Sequence, residues 1–191
     1  IKKKFKDVIT KRLSDHLVVT TSSKVKNFKD FIKDYYKDVT IVGYGHSIEI
    51  FKQVGNPTNV VKKFQLHKFK GTHGIGHTRM ATESAITTNG SHPYSTGQDE
   101  CLVHNGSLSN HNNLRRTLIK NGKVFDSEND TEVAAGYISS KLQQKFSLKE
   151  TLKDSLKDLD GFYTFVAGTQ NGFAILRDEI ACKPAVIAET K

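Results

Sequence analysis

The sequence is poor in the features that mark several protein classes. It has two cysteines, Cys101 and Cys182, too few for a disulfide framework. A reducing, cytoplasmic compartment is therefore the expectation. Prolines number three, and no proline-rich linker, internal repeat or low-complexity run divides the chain. No apolar run approaches the roughly 18 residues that a membrane helix needs. The basic start, IKKKFKDVITKR, lacks the apolar segment of a signal peptide. Neither a membrane nor a secretory route is expected. Arginine is scarce too: lysine supplies 24 of the 29 cations behind the net charge of +9. Those lysines are mixed with Asp and Glu on helix surfaces, without an arginine-rich face or aromatic platform, so they read as a solvated surface and not as a nucleic-acid site. The G-x-S-x-G elbow of serine hydrolases is absent.

What remains is a chain of 191 residues, 36% hydrophobic and 26% charged, enough for one domain with a real core. Residues 16–21 (HLVVTT), 38–43 and 101–104 read as strands, and 69–78 as a glycine-rich strand. Phe28, Phe31, Ile32, Tyr35 and Tyr36 recur at helical spacing in 25–36. Residues 110–121 form a second helix with Gly122 at its C-terminal cap. Residues 131–144 form a third, which Asp130 would cap. Ser147 and Glu150 make a capping box for a fourth helix, through Leu159. Residues 162–167 and 173–176 are strands around the hairpin signal GTQNG, and 182–188 starts another strand. Strands, then helices, then strands again predict an α+β fold with antiparallel sheet.

Several motifs have to be weighed against plain structural roles. Gly43-Tyr-Gly45-His-Ser-Ile48 opens like a dinucleotide fingerprint, but Ile48 replaces the third glycine, so a strand-to-turn joint is the better reading. Cys101 and His104 have a C-x-x-H spacing, yet positions three apart on a strand face opposite sides and no second pair completes a zinc site. No metal is expected. Asn105-Gly106 offers a side-chain amide beside a backbone N–H, which can stabilise an oxyanion, although the same pair is a common tight turn. Arg79 sits in a small, neutral segment and needs a carboxylate to fork onto, from a structural ion pair or from a ligand.

GHTRMAT, SHPY, HNG and SENDTE occur in that order, with Arg79, Asn105 and Asp130 about 25 residues apart. Together they resemble the class II glutamine amidotransferases, Ntn-type enzymes in which an N-terminal cysteine hydrolyses glutamine. The resemblance covers roughly residues 71–188 and is nearest to the stand-alone subunits related to glutamate synthase and N-methylglutamate synthase. It implies an Ntn-hydrolase-like αββα sandwich with antiparallel sheets. It implies that Arg79 forks onto the α-carboxylate of L-glutamine, that Asp130 pairs with the α-ammonium, and that Thr82 and His92 complete the pocket. Asn105 and Gly106 would form the oxyanion hole. The implied partner is a synthase subunit that receives ammonia, and no cofactor is implied.

The sequence departs from this pattern at two positions. Met80 stands where several members of the family carry tryptophan. Residue 1 is Ile, and neither Cys101 nor Cys182 has an adjacent α-amine to act as base. The expectation is a single amidotransferase domain over 1–191, with a loosely matching lysine-rich part (1–68) and a motif-bearing part (69–191). It would lack its first strand, which carries the N-terminal cysteine, and its closing strand. The alternative is an inactive glutamine-binding or regulatory module of the same fold.

Overall fold

The computed structural model describes every residue except 2, 6 and 79–85. The predicted Arg79 and Thr82 lie outside the described residues.

The chain opens with an antiparallel hairpin, β1 (Ile9–Leu13) and β2 (His16–Thr20), in which Leu13 pairs with His16 and Ile9 with Thr20. Helix α1 (Val25–Tyr35) buries Ile32 and brings Phe28 and Phe31 against Phe5. Helix α2 (Pro57–Phe64) starts on Asn56, whose side chain accepts from Thr58 N–H at 2.9 Å, with Pro57 in the first turn where no N–H is needed. Its Phe64 is fully buried against His16 and Phe51.

The larger sheet contains β3 (Glu100–Leu108), β4 (Gly161–Thr169) and β5 (Gly172–Arg177), all antiparallel, with β4 in the middle. Between β3 and β4 come three helices: α3 (His111–Lys120), α4 (Asp130–Gln143) and α5 (Leu148–Asp158). Their apolar faces meet one face of the sheet. Leu102, Leu108, Tyr163, Phe165 and Ala167 from the strands pack with Leu118, Val133, Ala134, Ile138 and Leu152 from the helices. Nine consecutive residues of α4, from Thr131 to Ser139, are buried. A helix covered all round is an interior element, so α4 is wedged between the sheet and its neighbours α3 and α5. The fold is mixed α and β with antiparallel sheets.

Helices α1, α3, α4 and α5, the Ser147–Glu150 capping box and the β4–β5 hairpin form where the sequence places them. Three predicted strands do not. Residues 38–43 have no ladder, only a single bridge just beyond them between Tyr44 and Gln98. Residues 69–78 also lack a ladder; side chains anchor them to the sheet, with His73 Nε2 donating to the Thr169 carbonyl at 2.9 Å and Ile75 seated over Gly168. Residues 182–188 follow the sheet as irregular chain, fixed where Thr164 Oγ1 donates to the Lys183 carbonyl at 2.9 Å. No described helix is long and apolar enough to cross a membrane.

Candidate active site

The Asn105-Gly106 pair lies inside β3 and not in a turn. The strand continues through it to Leu108, with Asn105 opposite Thr164 and Gly106 opposite Tyr163. Gly106 has φ +143, and a Cβ there would collide with the Phe162 carbonyl oxygen, so glycine is what lets the two strands approach. On either side of it, Leu102 N–H donates to the Tyr94 carbonyl at 2.8 Å and Leu108 N–H to Asp130 Oδ2 at 2.9 Å. Both donors point away from β4. Strand periodicity of two therefore places the Gly106 N–H on that same outer edge. The Asn105 side chain is exposed on the sheet face opposite the helices.

The cap of α4 is Asn129, not Asp130: the Asn129 side chain accepts from Thr131 N–H at 2.9 Å. Asp130 is the first helical residue, so its carboxylate is available to β3. The loop before it is clamped. Buried Glu132 accepts from the N–H groups of Asp126 and Ser127, and Arg115 donates to the carbonyls of Ser127 at 2.7 Å and Asn129 at 3.3 Å. This is the physical content of the SENDTE motif. Burial pushes the Asp130 carboxyl up. His104, the Leu108 N–H and the nearby His111 outweigh burial and hold it at about 2.

Thr131 connects Asp130 to the predicted His92. Its Oγ1 lies 2.9 Å from His92 Nε2 and 3.0 Å from His104 Nδ1. His92 stacks on His77, with ring centroids 4.2 Å apart, and meets Tyr94 edge-on. His111 Nδ1 donates to the Leu108 carbonyl at 2.6 Å, beside the same strand end. The structure thus joins His92, Asp130 and the Gly106 edge of β3 through Thr131 and His104. The sequence reading singled out neither of these two for the site. An inward residue on β3, two before Gly106, facing the first turn of a helix was the signal available for His104.

Cys101 stands opposite Gly168 in β3, and burial pushes its thiol up, the reverse of what an activated nucleophile needs. Cys182 is exposed on the irregular C-terminal segment. The GYGHS loop does bind an anion, but the anion is internal. The N–H groups of His46, Ser47 and Ile48 donate to Asp99 Oδ1 at 2.7, 2.8 and 3.3 Å, joined by Ser47 Oγ at 3.1 Å. Burial pushes the Asp99 carboxyl up, and these four donors bring it down to about 2.

A half-buried aspartate, an outward strand edge and two histidines thus meet at one helix start. The chain belongs to the glutamine amidotransferase domain family, whose profile matches residues 77–191. It is 54% identical over 178 residues to a glutamine amidotransferase-like protein of Rhizobium meliloti (strain 1021), covering 93% of this chain and 59% of the relative. A putative glutamine amidotransferase of Methanothermobacter thermautotrophicus is 33% identical over 190 residues, covering 96% of this chain and 62% of that one. The chain therefore spans about six-tenths of the length of these relatives. Among solved structures, the allosteric regulatory enzyme of purine biosynthesis is similar at a TM-score of 0.53 and 34% identity, over 62% of this chain and 27% of that one.

Proposed function

We propose that this chain is the glutamine-binding part of a class II, Ntn-type glutaminase, one that releases ammonia from the glutamine side chain for a synthase partner. The observation that carries this reading is the Asp130 carboxylate, held ionised beside the outward edge of β3 that bears Gly106, in a member of the glutamine amidotransferase domain family. A zwitterionic amino acid needs one cation, one anion and an amide-cleaving centre. Asp130 serves the α-ammonium and Arg79 the α-carboxylate, with Thr82 and His92 closing the pocket. The Asn105 amide and Gly106 N–H meet the oxyanion of the tetrahedral intermediate.

The nucleophile is assigned to an N-terminal cysteine outside these 191 residues, with its own α-amine as base. Its thiolate attacks the side-chain amide carbonyl, the C–N bond breaks, and the nitrogen leaves as ammonia. Water then cleaves the glutamyl thioester to give glutamate and the thiol. Residues 1–191 act as one domain, cytoplasmic and nearest to the glutamate-synthase-related subunits. A glutaminase assay on the full-length protein tests this. Activity in the wild type and its loss in Arg79→Ala is the expected result, and full activity in Arg79→Ala contradicts the pocket assignment.

A second reading is an inactive glutamine-binding module, favoured by the placement of Cys101, the only cysteine within the sheet, as a half-buried strand residue. Intact mass separates the two: a mature start at cysteine supports the enzyme, and a start elsewhere supports the module.

A further inference from the structure

Thr131 is 1% exposed and carries one hydroxyl among three polar neighbours. Its Oγ1 is 2.9 Å from His92 Nε2, 3.0 Å from His104 Nδ1 and 3.4 Å from Asp130 Oδ1. A hydroxyl has one proton and two lone pairs, and an ionised carboxylate only accepts. The contact with Asp130 is therefore satisfied only by the threonine proton. That leaves two lone pairs for the imidazoles, so each ring nitrogen facing Thr131 must bring its own hydrogen.

We propose that Thr131 is a positioning residue: its hydroxyl donates to Asp130 and accepts from His92 Nε2–H and His104 Nδ1–H, fixing both tautomers and the aim of the Asp130 carboxylate. The far side of His104 supports the assignment independently. Its Nε2 has no hydrogen-bond partner among the described residues, and the ring stands edge-on to Phe165 at 5.1 Å. A bare nitrogen there leaves an unused lone pair, whereas the opposite tautomer would bury an N–H without an acceptor. Asp130 Oδ2 is then held by Leu108 N–H, and Oδ1 by the Thr131 hydroxyl with His104 Nδ1 3.7 Å away. The remaining lone pairs are left for a cationic ligand. That the cation is the α-ammonium of glutamine rests on the function proposed above.

Imidazole nitrogen spectra of the full-length protein test the tautomers without any ligand. The expected pattern is a protonated Nδ1 on His104 and a protonated Nε2 on His92, unchanged in Thr131→Ser and lost in Thr131→Val. A His104 protonated on Nε2 in the wild type overturns the inference even if Thr131→Val does not fold. Glutamine titration supplies the second measurement. Thr131→Val should bind about ten- to a hundredfold more weakly, the loss expected for one hydrogen bond to a charged group, with affinity restored in Thr131→Ser. Equal affinity in Thr131→Val overturns the positioning role. A wild type that does not bind glutamine overturns the glutamine reading, while the nitrogen spectra still decide the tautomers.

Discussion

Leu108 N–H donates to Asp130 Oδ2 at 2.9 Å, tying the end of β3 to the first turn of α4. One bond thus sets the distance between the strand that carries Asn105 and Gly106 and the helix that carries Asp130. Because α4 is buried along most of its length, neither partner can move independently of the core.

The pH dependence of stability follows from Asp130. Its carboxyl is held at about 2 against an ordinary value of 3.8, so the folded state resists its protonation. Such a group contributes stability that is fully present above about pH 4 and is lost as pH falls through the folded value. The difference in unfolding free energy between wild type and Asp130→Asn should therefore shrink by about 2 kcal/mol between pH 5 and pH 2. Urea melts across that range measure it. A difference independent of pH contradicts the ionised, hydrogen-bonded carboxylate.

Asn105→Ala separates function from folding. The side chain is exposed, so stability should stay within about 0.5 kcal/mol of wild type. Glutaminase turnover should fall about a hundred- to a thousandfold, as for other lost oxyanion donors. A stable variant with unaltered turnover removes Asn105 from the oxyanion hole.

Gly106→Ala should do the opposite and act first on the fold. The added Cβ meets the Phe162 carbonyl oxygen, and φ +143 is strained for alanine. We expect a loss of about 1–3 kcal/mol, seen as a lower urea midpoint. An unchanged midpoint contradicts the close β3–β4 approach at this position.

Cys101 should behave as a bystander. With its thiol half-buried and pushed up, it should alkylate more slowly than exposed Cys182, as read by peptide mass after iodoacetamide. Cys101→Ser should keep glutaminase activity. Faster labelling of Cys101 contradicts the burial, and loss of activity contradicts the assignment of the nucleophile elsewhere.

Sequence periodicity revealed the helices because each carries a local signal, such as the Ser147–Glu150 box or the apolar stripe of α1. Helix α2 escaped notice because it spans eight residues, although Asn56-Pro57 is a fair start signal. The strands at 38–43, 69–78 and 182–188 failed for another reason. A ladder depends on a partner strand, and apolar content alone cannot supply one. In 69–78 the glycines and His73 led to side-chain contacts over the sheet instead. The resemblance singled out Asp130 as a pocket residue, and its expected role as helix cap was misread, because Asn129 one position earlier is an equally good cap. Thr131 and His104 were not legible, since only the packing of α4 on β3 brings a threonine and a strand histidine together. Asp99 lies more than fifty residues from the loop that binds it, beyond the reach of a local motif.

The most direct test of the account is isothermal titration of L-glutamine into the full-length wild type and Asp130→Asn. The substitution preserves size but removes the charge assigned above to the ammonium. The account predicts binding by the wild type and an affinity at least about tenfold weaker in Asp130→Asn, the minimum for losing one charge-assisted contact. Equal affinity in the two proteins would contradict it.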